Sequence, residues 1–457
     1  MSDRPTIPFV EVVPVGRVCG HIRPPGSKSL TNRALICAAF ARGNSILSGA
    51  LKSEDTEVMI DAVRAIGVAV QIEDGGSTLR VDTSARLVAK IDDATTEMFI
   101  ANSGTTIRFL TAALSAYGGH YRLHGVDRMH ERPIGDLVTA IDGVIDGHIE
   151  TMSADGCPPV LIQSNRWRPG ELSVAGSVSS QYLSGLMMAV PITGVSSTGV
   201  SSTSVSSTSV SSRIQVIGEL VSRPYVDMTA EVMRSFGADI SIVDANDSVA
   251  VEIGNTGYRG IDYLIEPDAS AASYFWAAAA ITSGEVTVDG LTPKAMQGDV
   301  GFVDVLKKMG CTVRSDENSI TVVGGKLTGV DIDMNLISDT VQTLSMVALF
   351  ADGPTRVRGV AHNRFKETDR IGDLACELRK LGATVDEHDD GMTIHPPTTP
   401  TPATLETYHD HRMAMSFSLA GLRIPGVKIL DPACTSKTYP DYFADLERLI
   451  GHPHRWA

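Results

Sequence analysis

Arg364-Phe365-Lys366-Glu367-Thr368-Asp369-Arg370 crowds cations and carboxylates into one short stretch before the apolar pattern Ile371, Leu374, Ala375, Leu378, Leu381. As the first turn of a helix, it would set Lys366 and Arg370 four apart on one face, with Glu367 beside them. A helix start draws anions through its free N–H groups, and two cations there strengthen the attraction. The stretch would therefore hold a phosphate or carboxylate and also offer a side chain able to move a proton. The same residues could equally form a solvated, salt-bridged helix start.

Further segments repeat the theme. Pro24-Pro25-Gly26-Ser27-Lys28-Ser29 feeds the apolar run 34–40 as a Gly/Ser turn with a lysine, without the GxxxxGK[ST] spacing of a P-loop. In Asn102-Ser103-Gly104-Thr105-Thr106-Ile107-Arg108, Gly104 would let backbone approach a ligand before a helix. Arg128 and Arg132 precede a proline-started helix, and a guanidinium is a planar fork for carboxylates and phosphates. Ser177-Val178-Ser179-Ser180-Gln181 opens an apolar helix with several hydroxyls, which would suit a phosphate or simply cap. Asp339 precedes the apolar run 341–350 and reads as an N-cap or as something more. His409-Asp410-His411-Arg412 is poor as a metal site, because two histidines at i, i+2 have no further ligands nearby. Cys434-Thr435-Ser436-Lys437-Thr438-Tyr439-Pro440 presents one more lysine.

These segments need elements to hold them, and the chain repeats one. An apolar-faced helix with a basic residue, a glycine and a strand recur at Gly67, Gly237, Gly310, Gly382 and Gly451, with a looser copy at Gly143. Each glycine suits the left-handed residue that closes a helix. Hairpin patterns follow most of them, at 69–81, 238–253, 311–323 and 383–396, around polar turns such as Asp244-Ala245-Asn246-Asp247. Six copies of a unit of about seventy residues are expected, the last one lacking its hairpin and completed by the strand 9–15. The interval between Gly143 and Gly237 is longer because 195–212 repeats Val, Ser and Thr, a composition that buries little and marks a surface loop.

The 457 residues exceed one ordinary core, and 43% hydrophobic with 20% charged residues reads as globular. A net charge of −15 argues against nucleic acid or an anionic membrane as partner, so a cluster of cations in such a chain has a local purpose. No apolar run reaches the length of a membrane span, and the first residues lack the pattern of a signal or transit peptide. Six cysteines, at 19, 37, 157, 311, 376 and 434, show no metal-ligand spacing and fit a reduced cytoplasm.

Together PPGSKSLTNRA, NSGTTIR, DRMHERPI, GSVSSQYLSGLMMA, SRPYVDMT, RFKETDR, YHDHRMAMSFSLA and DPACTSKTYPDYF resemble, in order and spacing, the 5-enolpyruvylshikimate-3-phosphate synthase family over about residues 10 to 450. The resemblance implies an α/β fold of two inverse α/β barrel halves, each of three βαβαββ units. It assigns residues 23–265 to one half and 1–22 plus 266–457 to the other. It implies enolpyruvyl transfer from phosphoenolpyruvate to shikimate 3-phosphate in aromatic amino-acid biosynthesis, without metal or cofactor, by a cytoplasmic monomer. By the same resemblance Lys28, Gly104, Arg132, Gln181, Glu367, Arg370, Arg412 and Lys437 would meet phosphoenolpyruvate. Lys28, Ser29, Arg33, Ser179, Ser180, Gln181, Ser222, Tyr225, Asp339 and Lys366 would meet shikimate 3-phosphate. Asp339, Glu367, Lys28 and His411 would serve catalysis, and an unsubstituted Gly104 implies sensitivity to glyphosate. His362 stands where the family usually has Asn, which puts one substrate contact in doubt. The alternatives are an enolpyruvyl transferase acting on UDP-N-acetylglucosamine, which typically uses a loop cysteine where this chain has Arg132, and a non-catalytic anion-binding homologue.

Overall fold

The computed structural model describes residues 9–85, 94–168, 170–177, 179–194, 212–245, 248–254 and 256–457. The expected excursion of the Val/Ser/Thr repeat, except for Ser212, lies outside the described residues, as do Asn246 and Asp247 of one expected turn and the first eight residues. The chain divides into two compact units, Gly26–Ile265 and the chain up to Pro25 with Glu266–Ala457.

The helices of the first unit are α1 (Lys28–Ala39), α2 (Glu54–Ala65), α3 (Gly104–Tyr117), α4 (Gly135–Asp142), α5 (Ser180–Ala189) and α6 (Arg223–Ser235). Those of the second are α7 (Ala269–Thr282), α8 (Phe302–Lys308), α9 (Val341–Ala348), α10 (Gly372–Lys380), α11 (His411–Gly421) and α12 (Tyr442–Ile450). Odd and even helices differ in kind. The odd ones are enclosed nearly all round: all residues of α7, α9 and α11 are buried, as are 30–39 of α1. The even ones bury a single stripe, as in α10, where Leu374, Ala375, Glu377 and Leu378 face inward. A helix apolar on every side must be enclosed, whereas an amphipathic one can face water. Each repeat therefore supplies one inner and one outer helix. Strands such as Gly119–His124 alternate buried with part-exposed residues and so shield the inner helices on one face only.

Six four-stranded sheets among the described residues share one plan: a parallel pair, then two antiparallel pairings. In one, Thr96–Phe99 lies parallel to Gly119–His124, which pairs antiparallel with Val160–Trp167, itself paired with Ile145–Thr151. Two sheets take one strand of their parallel pair from far along the chain. Asp262–Leu264 lies parallel to Ser45–Ser48, and Cys19–Ile22 lies parallel to Glu285–Asp289.

The sixth copy is completed, as expected, by the N-terminal strand: Phe9–Glu11 pairs antiparallel with Lys428–Leu430 on one side and with Arg455–Trp456 on the other, so its last two strands come from opposite ends of the described chain and not from a hairpin. The N-terminal strand is shorter than the expected 9–15. Among the helix-closing glycines, Gly67, Gly237, Gly310, Gly382 and Gly451 all have positive φ, between 73° and 112°. Gly143 does not: its φ of −66° continues the right-handed turn of α4, so the looser copy closes its helix differently.

Candidate active site

In the first unit the side chains that could do chemistry lie at helix starts, where backbone N–H groups are free and the dipole favours anions. Ser27 caps α1 by accepting from Leu30 N, which places Lys28 and Ser29 in the first turn. Lys28 Nζ lies 3.2 Å from Asp55 Oδ2 at the start of α2. Arg33, one turn further, is buried: its Nε donates to Thr229 Oγ1 (2.7 Å), Nη1 to Ser29 O (2.9 Å) and Nη2 to Tyr225 O (3.2 Å). Its guanidinium also stands 5.1 Å from the Phe109 ring centre. Burial brings its pKa down to about 10, with Tyr225 opposing. Ser222 takes a left-handed conformation, φ 53°, directly before α6 and Tyr225.

A second group forms where α3, α4 and α5 begin. Ser103 caps α3, so Gly104 is its first residue. Arg132 Nη1 donates to Asn102 O (3.1 Å) and Oδ1 (3.2 Å). Arg108 Nη1 donates to Gly104 O (3.1 Å) and Gln181 Oε1 (3.2 Å), and its Nη2 to Pro133 O (3.2 Å). Ser179 caps α5 through Gln181 N, and Ser180 is buried behind it. The expected proline start of α4 is displaced: the helix begins at Gly135, while the Pro133 carbonyl receives Arg108 and the Tyr182 hydroxyl.

Gly104 has a steric purpose here. A Cβ built on it would lie 2.5 Å from both Arg108 Nη1 and Arg132 Nη2. Both guanidiniums are buried and hydrogen-bonded, so neither can yield freely. We expect Gly104→Ala to keep the fold, since alanine is the better helix former. On the role that the resemblance implies for Gly104, it should raise KM for phosphoenolpyruvate by about tenfold or more, because a misplacement of about 1 Å can cost a hundredfold. Steady-state kinetics together with thermal unfolding check this, and an unchanged KM refutes it.

In the second unit Asp339, Lys366, Glu367, Arg370, Asp410, His411, Arg412 and Lys437 come together. The stretch that opened the sequence reading is not the first turn of a helix. Residues 361–365 form a short 3-10 turn, Lys366 is extended, and α10 begins at Gly372. Asp369 is the reason: its Oδ1 accepts from Ile371 N and Gly372 N, both at 3.0 Å, and sets the helix start beyond Arg370. Arg370 nevertheless reaches three carboxylates. Its Nε donates to Asp410 Oδ2 (2.7 Å), its Nη2 to Asp410 Oδ1 (3.1 Å) and Glu367 Oε2 (2.8 Å), and its Nη1 to Asp339 Oδ1 (3.3 Å). Burial alone would lower its pKa, but Asp410, Glu367 and Asp339 outweigh it and hold the guanidinium well above its ordinary value.

Asp339 is not an N-cap: it lies within the 3-10 turn Asn335–Thr340, and Thr340 is the residue that precedes α9. Asp339 also accepts from Arg412 Nη2 at 2.7 Å and lies 3.9 Å from Lys366 Nζ. Glu367 takes Lys437 Nζ on its other oxygen at 3.0 Å. Lys366 has its pKa lowered by burial, with Asp339 opposing. His411 is buried, with Nδ1 3.7 Å from Asp410 Oδ1, whereas His409 is exposed and bonded to Asp431 Oδ2 at 2.7 Å, so the two histidines serve different places.

His362 lies among these groups and is buried. Burial first, and the charge of Lys366 second, push its pKa down to about 3. Below pH 6.5 the unfolded chain therefore binds a proton that the folded one refuses, and stability falls as pH drops from 6.5 towards 3. We expect the urea midpoint of His362→Asn to lose less between pH 6.5 and 5 than that of the parent, the difference amounting to about 2 kcal/mol. Parallel slopes would refute it.

Sequence reading missed three residues that the structure brings in. Asp410 was weighed only for the histidines around it, although an acid before an apolar helix is a capping signal. It is fully buried, caps α11 through Arg412 N at 2.8 Å and grips Arg370. Arg108 had a signal in its i, i+4 spacing from Gly104. Asp55 had none, because acids in a first turn are ordinary.

Comparison with known proteins follows the same lines. The family described as EPSP synthase (3-phosphoshikimate 1-carboxyvinyltransferase) matches residues 12–446. The chloroplastic 3-phosphoshikimate 1-carboxyvinyltransferase of Brassica napus is 42% identical over 452 residues, 96% of this chain and 84% of that one. The enzyme of the same name from Paraburkholderia phytofirmans is 43% identical over 449 residues, 95% of this chain and 98% of that one. In fold, the chain is similar to the EPSP synthase of Acinetobacter baumannii, with TM-score 0.77 at 24% identity, covering 98% of this chain and 99% of the other. It is also similar to the enolpyruvyl transferase NikO of Streptomyces tendae, with TM-score 0.74 at 21% identity and 99% coverage of both chains. With cation–carboxylate clusters at its helix starts and a family match running almost from end to end, this chain belongs to the EPSP synthase (3-phosphoshikimate 1-carboxyvinyltransferase) family of transferases.

Proposed function

We propose that this chain transfers the enolpyruvyl group of phosphoenolpyruvate to shikimate 3-phosphate, and that the residues above carry the steps. The observation that supports this most is the sharing of carboxylates in the second unit: Asp339 among Lys366, Arg370 and Arg412, and Glu367 between Arg370 and Lys437. Carboxylates so placed can take and return protons, while the cations answer the charges of two anionic substrates.

In the addition step the acceptor hydroxyl loses its proton to Asp339 as its oxygen bonds to C2 of phosphoenolpyruvate. Glu367, with Lys28, delivers a proton to the methylene carbon. In the elimination step the same group takes back a methyl proton, the C2–O bond to phosphate breaks, and inorganic phosphate leaves with the proton that Asp339 held. Arg132, Arg370, Arg412 and Lys437, with Gln181 and the backbone at Gly104, hold phosphoenolpyruvate. Lys28, Ser29, Arg33, Ser179, Ser180, Ser222, Tyr225 and Lys366 hold shikimate 3-phosphate. His411 serves the proton steps or positions its neighbours. Glyphosate, a phosphonate anion, should compete with phosphoenolpyruvate.

The free thiols and acidic balance support a cytoplasmic setting. No helix among the described residues is long and apolar enough to cross a membrane. A coupled phosphate-release assay tests the whole reading. Release should require both substrates; release with UDP-N-acetylglucosamine as acceptor, or none at all, overturns it.

A further inference from the structure

Asp410 owes its direction to an unusual piece of backbone. Tyr408 and His409, immediately before it, both lie in the left-handed region, each with φ of 54°. Two successive side-chain-bearing residues in that region persist only where the surroundings over-determine them. Here the surroundings are specific. Glu377 of α10 is fully buried, and its carboxylate accepts from the Tyr408 hydroxyl at 2.7 Å and from Glu406 N at 3.1 Å. Lys380 Nζ, at 2.7 and 2.8 Å from its two oxygens, neutralises it. On the other side His409 Nδ1 bonds Asp431 Oδ2 at 2.7 Å, and Asp431 is itself left-handed, with φ of 46°. The turn closes through Asp410 N, which donates to Thr407 O at 2.8 Å.

We propose that Glu377 and Tyr408 are positioning residues for the transfer reaction, fixing the strained turn 406–409 so that Asp410 meets Arg370 in a two-point grip. Arg370, just before α10, and Glu377, within it, then hold this turn at two places, through Asp410 and through Tyr408. A buried carboxylate is a poor way to gain stability compared with an apolar side chain, but it is directional. The direction it sets is that of the guanidinium which the proposed function gives to phosphoenolpyruvate, and the kinetic consequence rests on that reading.

The test is Tyr408→Phe in the full chain, with Glu377→Gln beside it. Tyr408→Phe removes one oxygen, so it carries the test even if the buried Glu377→Gln fails to fold. The ¹H–¹⁵N signal of the Arg370 side chain, assigned by its loss in Arg370→Lys, reads the grip directly. It should shift, and its Nε proton should exchange about tenfold faster or more. KM for phosphoenolpyruvate should rise about tenfold, with kcat and the KM for shikimate 3-phosphate within about twofold, the pattern of lost uniform binding. In an Asp410→Asn background Tyr408→Phe should add less than about twofold, because the tether acts only through Asp410. An Arg370 signal unchanged by Tyr408→Phe, or effects that multiply in the double variant, overturns the tether. A moved signal with KM for phosphoenolpyruvate unchanged upholds the tether and instead overturns the assignment of Arg370 to that substrate.

Discussion

Replacing Glu367 by Gln should lower kcat by about a thousandfold, within the hundredfold to ten-thousandfold range of a lost general acid–base group, while substrate dissociation constants change only several-fold. The carboxylate is nearly buried, with one oxygen 2.8 Å from Arg370 Nη2 and the other 3.0 Å from Lys437 Nζ. Gln has the same shape and can still accept from one of these cations. Its NH₂ must then face the other, and it cannot take or return a proton. Lys437 and Arg370 keep their other surroundings, so the positive charge survives while the carboxylate proposed to carry the proton does not. Isothermal titration with shikimate 3-phosphate and steady-state kinetics measure the two halves of this claim. A Glu367→Gln enzyme with normal turnover would remove Glu367 from the proton path.

Replacing Arg370 by Met should destabilise the fold by about 3–5 kcal/mol near neutral pH, the cost of stripping one partner from a buried ion pair, and should abolish measurable turnover. Asp410 would suffer most: its side chain is 0% exposed and would keep only the Arg412 N–H of the bonds it shares with this cluster. Asp339 and Glu367 would retain Arg412, Lys366 and Lys437. The pH dependence follows from linkage. An unpaired buried carboxyl binds a proton more readily in the folded state than its reference near 3.9 in the unfolded state. Between those two values the folded variant holds more protons than the unfolded one, so its stability rises as pH falls and the deficit is greatest above both. Urea unfolding of variant and parent at pH 7 and pH 5 should show the gap narrowing. A gap that stays constant would mean that Asp410 is not left charged and buried.

Much of this molecule was legible in the chain. Five helix-closing glycines gave away the repeat because a left-handed residue after a helix is a local requirement, met by the residue itself. Helix starts at Lys28, Gly104 and Ser180 were readable because Ser27, Ser103 and Ser179 cap them from adjacent positions. The site residues came from a resemblance of ordered motifs, and their cations stood out because the chain as a whole is acidic.

What escaped the sequence was non-local. Lys366 and Arg370 share Asp339 without sharing a helix turn, because Asp369 captures the next two amides and delays α10. The N-terminal strand was expected in the last sheet, but its pairing there with the C-terminal strand, residue 10 to residue 456, is one that no local pattern announces. Asp410 stands in a segment read only for its histidines, and its role comes from Arg370, forty residues earlier in the chain, folding onto it. Capping, turn chemistry and helix periodicity depend on neighbours in sequence and can be read from them. Which carboxylate a buried guanidinium meets depends on how separate helices pack, and only the tertiary structure decides it.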